Sequence, residues 1–471
     1  MRRIVTRFSK LLNAMLSRRA FLPAFAAAAP CAMAQPKRPN FVILHTDDQR
    51  FDTIRALGNG AIQTPAMDRL AARGVVFTQA ATQGGLTGAI CMPSRAQMLT
   101  GLNVFQAHRA IVDHPAKPDA DVLTFPEHLR KSGYRTFHTG KWHLGTALHH
   151  RSFTHGANIF FGGMSDHLAM PVFDYDPEGR YPKQRQYIAK GFSSEVIANS
   201  AIEFLRQQQG DAPFVMYAAF TSPHDPRMAP RRFADLYDPE KIELPKNFMA
   251  QHPFDNGEMK VRDELLAPFP RTEAEVRRHI AAYFAMITEV DYQIGRVLEA
   301  LERSPHAGNT FVFFAGDNGL AVGQHGLMGK QNLYEHSLRV PLMLSGPGIQ
   351  KGKRNDSLCH LMDMAPTVCN LAGSPLKGAM DGQDLLQGAP RKSTISAYRN
   401  VQRGLRTKEW KLVVYNVDGR RTEQLFDLKR DPWELRSLAS EPAQRKRVAA
   451  LTAELARQLE AAGDTAGWVR Q

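Results

Sequence analysis

Four short apolar runs, each ending in a polar loop, constrain this chain most. They are NFVILHTDD (40–48), PFVMYAAFTSPH (213–224), TFVFFAGDNG (310–319) and VPLMLSGPG (340–348). Runs of this length, apolar at successive positions, suit strands buried on both faces, as in parallel sheets. Helical stretches lie between them. TPAMDRLAARG (64–74) begins with Thr64 as a cap and Pro65 at the first helical position, and stops at Gly74. TEAEVRRHIAAYFAMITEVDYQIGRVLEAL (272–301) reads as one long amphipathic helix. Strands alternating with helices predict an α/β fold, with a large mixed, mostly parallel sheet sandwiched by helices. Ligands bind beyond the carboxyl ends of such strands. Here those ends carry Asp47–Asp48, His224 and Asp317–Asn318.

The pattern changes after about residue 385. RGLRTKEWKLVVYNVDGRRTEQLFDL (403–428) reads as strand, turn and strand, with Asp418–Gly419 at the turn. AQRKRVAALTAELARQLEAAG (443–463) reads as a terminal helix. The expected organisation is therefore a large α/β domain over 35–385, which carries those strand ends, and a small antiparallel sheet-plus-helix subdomain over 386–471. Ahead of both, SRRAFLPAFAAAAPCAMAQ (17–35) has Arg18–Arg19, a short apolar stretch and a small-residue cleavage pattern before Gln35. Residues 1–34 are expected to be a twin-arginine export signal, complete from either Met1 or Met15, that delivers the chain to the periplasm. Cys31 would leave with it.

Removing that segment, with its six basic and no acidic residues, lowers the formal charge from +14 to +8. A positive balance suits an anionic substrate or surface, and equally plain solubility. No block of five like charges points to nucleic acid, and no run of eighteen apolar residues predicts a membrane span.

Three cysteines then remain, a poor number for a disulfide framework. Much of CHLMDMAPTVC (359–369) reads as helix, which sets Cys359 and Cys369 about 15 Å apart. That is too far for a bridge, so both are expected to be buried thiols. Cys91 stands alone in GAICMPSRAQMLTG (88–101).

The acids pose the next problem. If their strands are neighbours, Asp47, Asp48 and Asp317 converge. Two carboxylates about 4 Å apart repel by roughly 4 kcal/mol at an effective dielectric of 20, so the set needs a cation or shared protons. With the Asn318 amide it is an all-oxygen set, suited to Ca²⁺ or Mg²⁺ rather than zinc. A soft thiolate is a poor neighbour for such an ion. Three readings of Cys91 follow: a nucleophile with a histidine base, a zinc ligand with histidines, or a residue that is no longer cysteine in the working protein.

CMPSR (91–95), followed by LTG (99–101), resembles the signature of the type I, formylglycine-dependent sulfatases of the alkaline phosphatase superfamily. GYRTFHTGKWH (133–143) resembles their second signature. TPAMDRLAARGVVF, SPHDP, DNG, HGLMGKQNLYE and FDLKRDPWEL follow in the family's order, so the resemblance spans nearly the whole mature chain. Met92 and Thr139 depart from the usual residues.

The resemblance implies a mechanism. A formylglycine-generating enzyme would oxidise Cys91 to 3-oxoalanine (formylglycine), whose hydrate offers hard oxygen ligands. Asp47, Asp48, Asp317 and Asn318 would bind a divalent cation, usually Ca²⁺ with Mg²⁺ as the alternative, and residue 91 would be a further ligand. Arg95, four residues on and on the same helical face, would fix the hydrated aldehyde. Lys141 and Lys330 would hold sulfate oxygens, and His143 would accept a proton from the attacking hydroxyl or orient it. His224 would protonate the leaving alkoxide. His325 is a lesser pocket candidate.

The implied substrate is a sulfate ester, small or oligosaccharide, expected on a carbohydrate. Specificity is expected in loops such as 162–182. Two alternatives stand beside this reading: a phosphonate or phosphate ester hydrolase of the same superfamily, and a non-catalytic glycan-binding homologue.

Overall fold

The computed structural model describes residues 37–470 except 377 and 379. The expected export segment, residues 1–34, lies outside the described residues. Alternate side chains of the strand Asn40–Thr46 enter two different apolar cores. Val42 and Leu44 join one, Phe41 and Ile43 the other, and all four are buried. The strand is thus covered on both faces, as its unbroken apolar run requires.

It lies inside an eight-stranded sheet. The order is Lys353–Asn355, Val75–Phe77, Leu342–Ser345, Thr310–Gly316, Asn40–Thr46, Phe214–Ala219, Arg135–Lys141 and His155–Phe160. Most neighbours are parallel. The run around 340–348 departs from the parallel expectation, because Leu342–Ser345 pairs antiparallel with both of its neighbours. A strand buried on both faces is apolar throughout in either direction, so the run could not reveal its own polarity. Helices Ser193–Gln207 and Glu273–Glu302 pack on one face, and Cys91–Thr100, Phe125–Lys131 and Met364–Leu371 on the other. The expected α/β sandwich is therefore present.

Register sets up everything that follows. Thr46 pairs with Gly316 across parallel strands. The next residues, Asp47 and Asp317, therefore leave the same edge side by side. Ala219 pairs with both His45 and Gly140, which brings Lys141 and the 220–225 segment to the same edge.

The C-terminal sheet is larger than the sequence suggested. Ser393–Tyr398, Gln402–Thr407, Trp410–Val417 and Arg420–Asp427 form an antiparallel meander, with the last turn at Asp418–Gly419 and the helix Arg445–Ala462 packed on it. Both turn residues have positive φ, 51° and 80°, as the tight hairpin turn requires. A fifth strand, Gly84–Gly85, comes from far upstream and pairs parallel with Ser393–Tyr398. Gly84 is needed there because a Cβ would lie 2.4 Å from the Ala397 carbonyl oxygen. Cys359 and Cys369 are buried free thiols, as expected, although Cys359 sits on a short strand rather than a helix.

The helix Pro65–Arg73 begins where expected, but Thr64 does not cap it through its side chain. Asp291 of the long helix does so instead, accepting from the N–H groups of Ala66 and Met67 at 3.0 and 2.8 Å. Asp291 and the nearby Glu289 are fully buried, and burial pushes both carboxyls up to about 7. A carboxyl raised in the folded state binds its proton more tightly there than when unfolded. Its contribution to stability is complete below about pH 4 and declines as pH rises toward 7. Glu289→Gln should therefore flatten the fall in urea midpoint between pH 4.5 and 7. An unchanged slope would show that Glu289 does not titrate in this range.

Candidate active site

The sheet edge holds six buried charges in three pairs. Lys141 Nζ donates to Asp47 Oδ2 at 2.5 Å. Lys330 Nζ donates to both Asp48 carboxylate oxygens at 2.7 and 2.8 Å. Arg95 Nε donates to Asp317 Oδ2 at 3.1 Å. None of the six residues is more than 4% exposed. The predicted residues thus converge, and the cluster is neutral as it stands.

Electrostatics follow from this pairing. Burial, opposed by Arg95, His45 and the two lysines, leaves Asp317 held well below the usual carboxylate range. Burial and the Asp317 charge push Asp47 up. Burial disfavours charged Lys330, but Asp48 and Cys91 outweigh it and hold the ammonium firmly protonated.

Cys91 is the first residue of the helix Cys91–Thr100, and Pro93 lies in its first turn. Its Sγ lies 3.2 Å from Asp47 Oδ1 and 3.6 Å from Asp48 Oδ1, and accepts from Lys330 Nζ at 2.9 Å. Burial, then Asp47, pushes the thiol far above its ordinary value. Arg95, one turn on, reaches the same cluster, as the four-residue spacing predicts. Met92 packs instead against the apolar core on that side of the sheet.

The ligand atoms of Asp47, Asp48, Cys91 and His224 all lie within 4.8 Å of one another. Asp317 is more fully engaged. Its Oδ1 accepts from the N–H groups of Asp48 and Asn318, and its Oδ2 faces Arg95. Asn318 Nδ2 donates to Asp48 Oδ1 at 2.6 Å. Its Oδ1 is buried with no hydrogen-bond partner among the described residues.

The two histidines differ in setting. His143 is half-buried, follows Lys141 by two residues and has a φ of 67°. Burial, then Lys141 and Arg95, holds its imidazole neutral. Gly163 lets the 162–182 loop close on it, because a Cβ there would lie 2.6 Å from His143 Nε2. His224 Nε2 faces Asp48 Oδ2 at 3.6 Å, while Nδ1 lies 2.8 Å from the Asp225 carbonyl oxygen. A carbonyl can only accept, so Nδ1 carries the proton in neutral His224. His325 takes no part. It stacks on Tyr334 at 3.9 Å and bonds Asn247.

Several supporting residues escaped sequence reasoning. Ser94 Oγ donates to the Asp317 carbonyl at 2.5 Å, and Tyr283 Oη to the Asp48 carbonyl at 2.6 Å. Tyr217 Oη lies 3.4 Å from Arg95 Nη1 and 2.7 Å from His45 Nδ1. Asp225, beside His224, is paired with Arg262. Ser94 and Asp225 stood inside motifs already quoted, while the tyrosines carried no local signal.

Known proteins resemble this chain over most of its length. A family model described as sulfatase matches residues 39–374, and one described as N-sulphoglucosamine sulphohydrolase, C-terminal, matches 323–461. An N-acetylglucosamine-6-O-sulfatase of Bacteroides thetaiotaomicron is 27% identical over 87% of this chain and 85% of its own. A choline-sulfatase of Rhizobium meliloti is 29% identical over 88% and 85%. A solved structure in complex with its substrate, D-glucosamine-2-N,6-O-disulfate, aligns with a TM-score of 0.75 at 24% identity, covering 91% of this chain and 99% of that one. Fold and site together define a hydrolase of the alkaline phosphatase superfamily. Within it, the chain belongs to the sulfatase family and is a sulfuric ester hydrolase.

The charge pairing has a direct energetic consequence. Lys330→Met would leave Asp48 buried without its cation, and breaking a buried pair in this way costs about 3–5 kcal/mol. Urea unfolding in chelator should show that loss. A loss below about 0.5 kcal/mol, the usual size for an ordinary surface site, would mean that Lys330 is not what holds Asp48.

Proposed function

We propose that the chain hydrolyses a sulfate ester carried on a carbohydrate, with residue 91 working as formylglycine beside a divalent cation. The setting of Cys91 carries this reading. A thiol with its pKa pushed far up is a poor nucleophile, and sulfur between two carboxylates is a poor ligand for a hard ion. The surrounding oxygens suit Ca²⁺, with Mg²⁺ the smaller alternative. The partnerless Asn318 Oδ1 points the same way, so the residues present fit the ion. Asp47, Asp48, Asp317 and Asn318, with residue 91, would hold it. When bound, the ion polarises sulfate oxygens and lowers the pKa of a nearby hydroxyl.

The chain's own groups do the rest. Arg95, fixed by Asp317 and the Lys141 carbonyl, positions residue 91 from one turn away. Lys141 and Lys330 exchange carboxylate partners for sulfate oxygens. Neutral His143 accepts the proton of the attacking hydroxyl. His224, aligned through Nδ1 by Asp225, donates a proton to the leaving oxygen. Sugar alkoxides leave poorly, so this proton matters most for glycan esters. The relatives named for sulfated glucosamine favour a sugar substrate. In the same reading, residues 1–34 export the chain to the periplasm by the twin-arginine route, after a formylglycine-generating enzyme has converted Cys91.

Mass spectrometry of the tryptic peptide 74–95 from exported protein tests the conversion. The expected mass is that of the aldehyde, and finding only the unmodified thiol would sink the proposal. His224→Ala should slow a sugar sulfate by about 10²–10⁴-fold and nitrophenyl sulfate far less. Equal losses would remove His224 from the acid role. Faster turnover of a nitrophenyl phosphonate ester than of nitrophenyl sulfate would favour the phosphonate alternative.

A further inference from the structure

A second basic recess lies apart from Cys91. A cleft of about 730 Å³ is bordered by residues 50–52 and 57–61, by 241–246, by 76–78 and by 339–342. Five basic side chains line it: Arg50, Lys241, Lys246, Arg339 and Arg354. Asp52 and Glu243 are the acids among the lining residues. Lys241 also faces Asp238 at 3.3 Å and Arg339 faces Glu335 at 3.6 Å, which leaves Lys246 and Arg354 as the exposed cations of the rim outside these pairs. Phe51 and Trp433 are the aromatic residues near its charged rim. The volume falls within the ordinary range for small-ligand sites, which pair apolar walls with a few polar groups.

Arg50 makes the cleft more than a charged surface. It is 5% exposed, and two of its nitrogens hold Asp52 at 2.9 and 3.1 Å. Its Nη1 is buried with no partner among the described residues. A buried donor left unsatisfied costs free energy, and Arg50 is among the residues that line the cleft. Arg339 lies over the Phe51 ring at 3.8 Å, with Nη2 on the Thr78 carbonyl at 2.6 Å. Its guanidinium is thus held in place before any ligand arrives.

We infer that this cleft is a second binding site, taking an anionic sugar unit that bears sulfate or carboxylate. Guanidinium forks and ammonium groups match those oxyanions, and the apolar part of the lining, Trp433 included, gives surface for the sugar ring. The site is joined to the catalytic edge by a short path. Arg50 lies two residues beyond Asp48, and its N–H donates to Tyr283 Oη, which donates to the Asp48 carbonyl. A polymeric substrate held here would keep the chain attached between hydrolytic events. The inference does not depend on the state of residue 91.

Hydrogen exchange on Cys91→Ala protein, which removes turnover under any reading of the mechanism, tests it. Sucrose octasulfate is the probe, with sucrose, inorganic sulfate and ATP as comparison ligands. The octasulfate should slow exchange in residues 50–61 and 241–246. That protection should be lost in a variant that adds Lys246→Glu and Arg354→Glu, both exposed in the fold. It should persist in a charge-matched variant with Arg206→Glu and Arg303→Glu, which lie outside the cleft. Absence of protection at these segments, or its equal loss in both variants, would overturn the site. Equal protection by ATP or by inorganic sulfate would overturn the sugar assignment. With Cys91 intact, the Lys246 and Arg354 pair should leave nitrophenyl sulfate turnover unchanged. A loss there would make the cleft part of the catalytic site and overturn its separateness.

Discussion

Three carboxylates and three cations, buried beyond one edge of the sheet, hold each other in place. Strand register sets the acids side by side, and desolvation makes leaving any of them alone costly. Asp47, Asp48 and Asp317 must each find a cation, and Lys141, Lys330 and Arg95 arrive from three different parts of the chain to supply them. The pairing is neutral in sum. A divalent ion added to it would give two positive charges in a dry recess, the environment into which a sulfate group, itself anionic, would be drawn.

The pairing is held by the hydrogen bonds that surround it. Asp48 adopts a φ of 64°, a conformation that persists only where neighbours over-determine it. Tyr283 on its carbonyl and the Asp317 carboxylate on its N–H do so. Ser94 ties the Cys91 helix to the Asp317 backbone, which links residue 91 to the acids. Tyr217 and His45 back the Arg95 guanidinium from the apolar side.

Much of this was legible in the sequence. The apolar runs gave the central strands to within a few residues, and the acids at their ends gave the edge where the charged residues converge. Arg95 followed from helical spacing, and Lys141, His143, His224 and Lys330 from motif order. What stayed hidden depended on partners far apart in the chain. The polarity of Leu342–Ser345 is one case, because an apolar run carries no arrow. The cap on Pro65–Arg73 is another, since Thr64 satisfied the local rule while Asp291, more than two hundred residues away, made the bonds. His325 looked like a pocket residue from its motif, and stacking on Tyr334 turned it inward.

The pairing of Gly84–Gly85 with Ser393–Tyr398 bears on the order in which the molecule is finished. The short strand lies just ahead of Cys91, and its partner is made about 300 residues later. At ordinary ribosomal speeds that interval is roughly 15–60 s. During it the segment around Cys91 lacks its final clamp, whereas in the completed fold Cys91 is only 2% exposed. Any catalyst that must grasp this stretch of backbone has its opportunity on the nascent chain, and the arrival of the last sheet closes it.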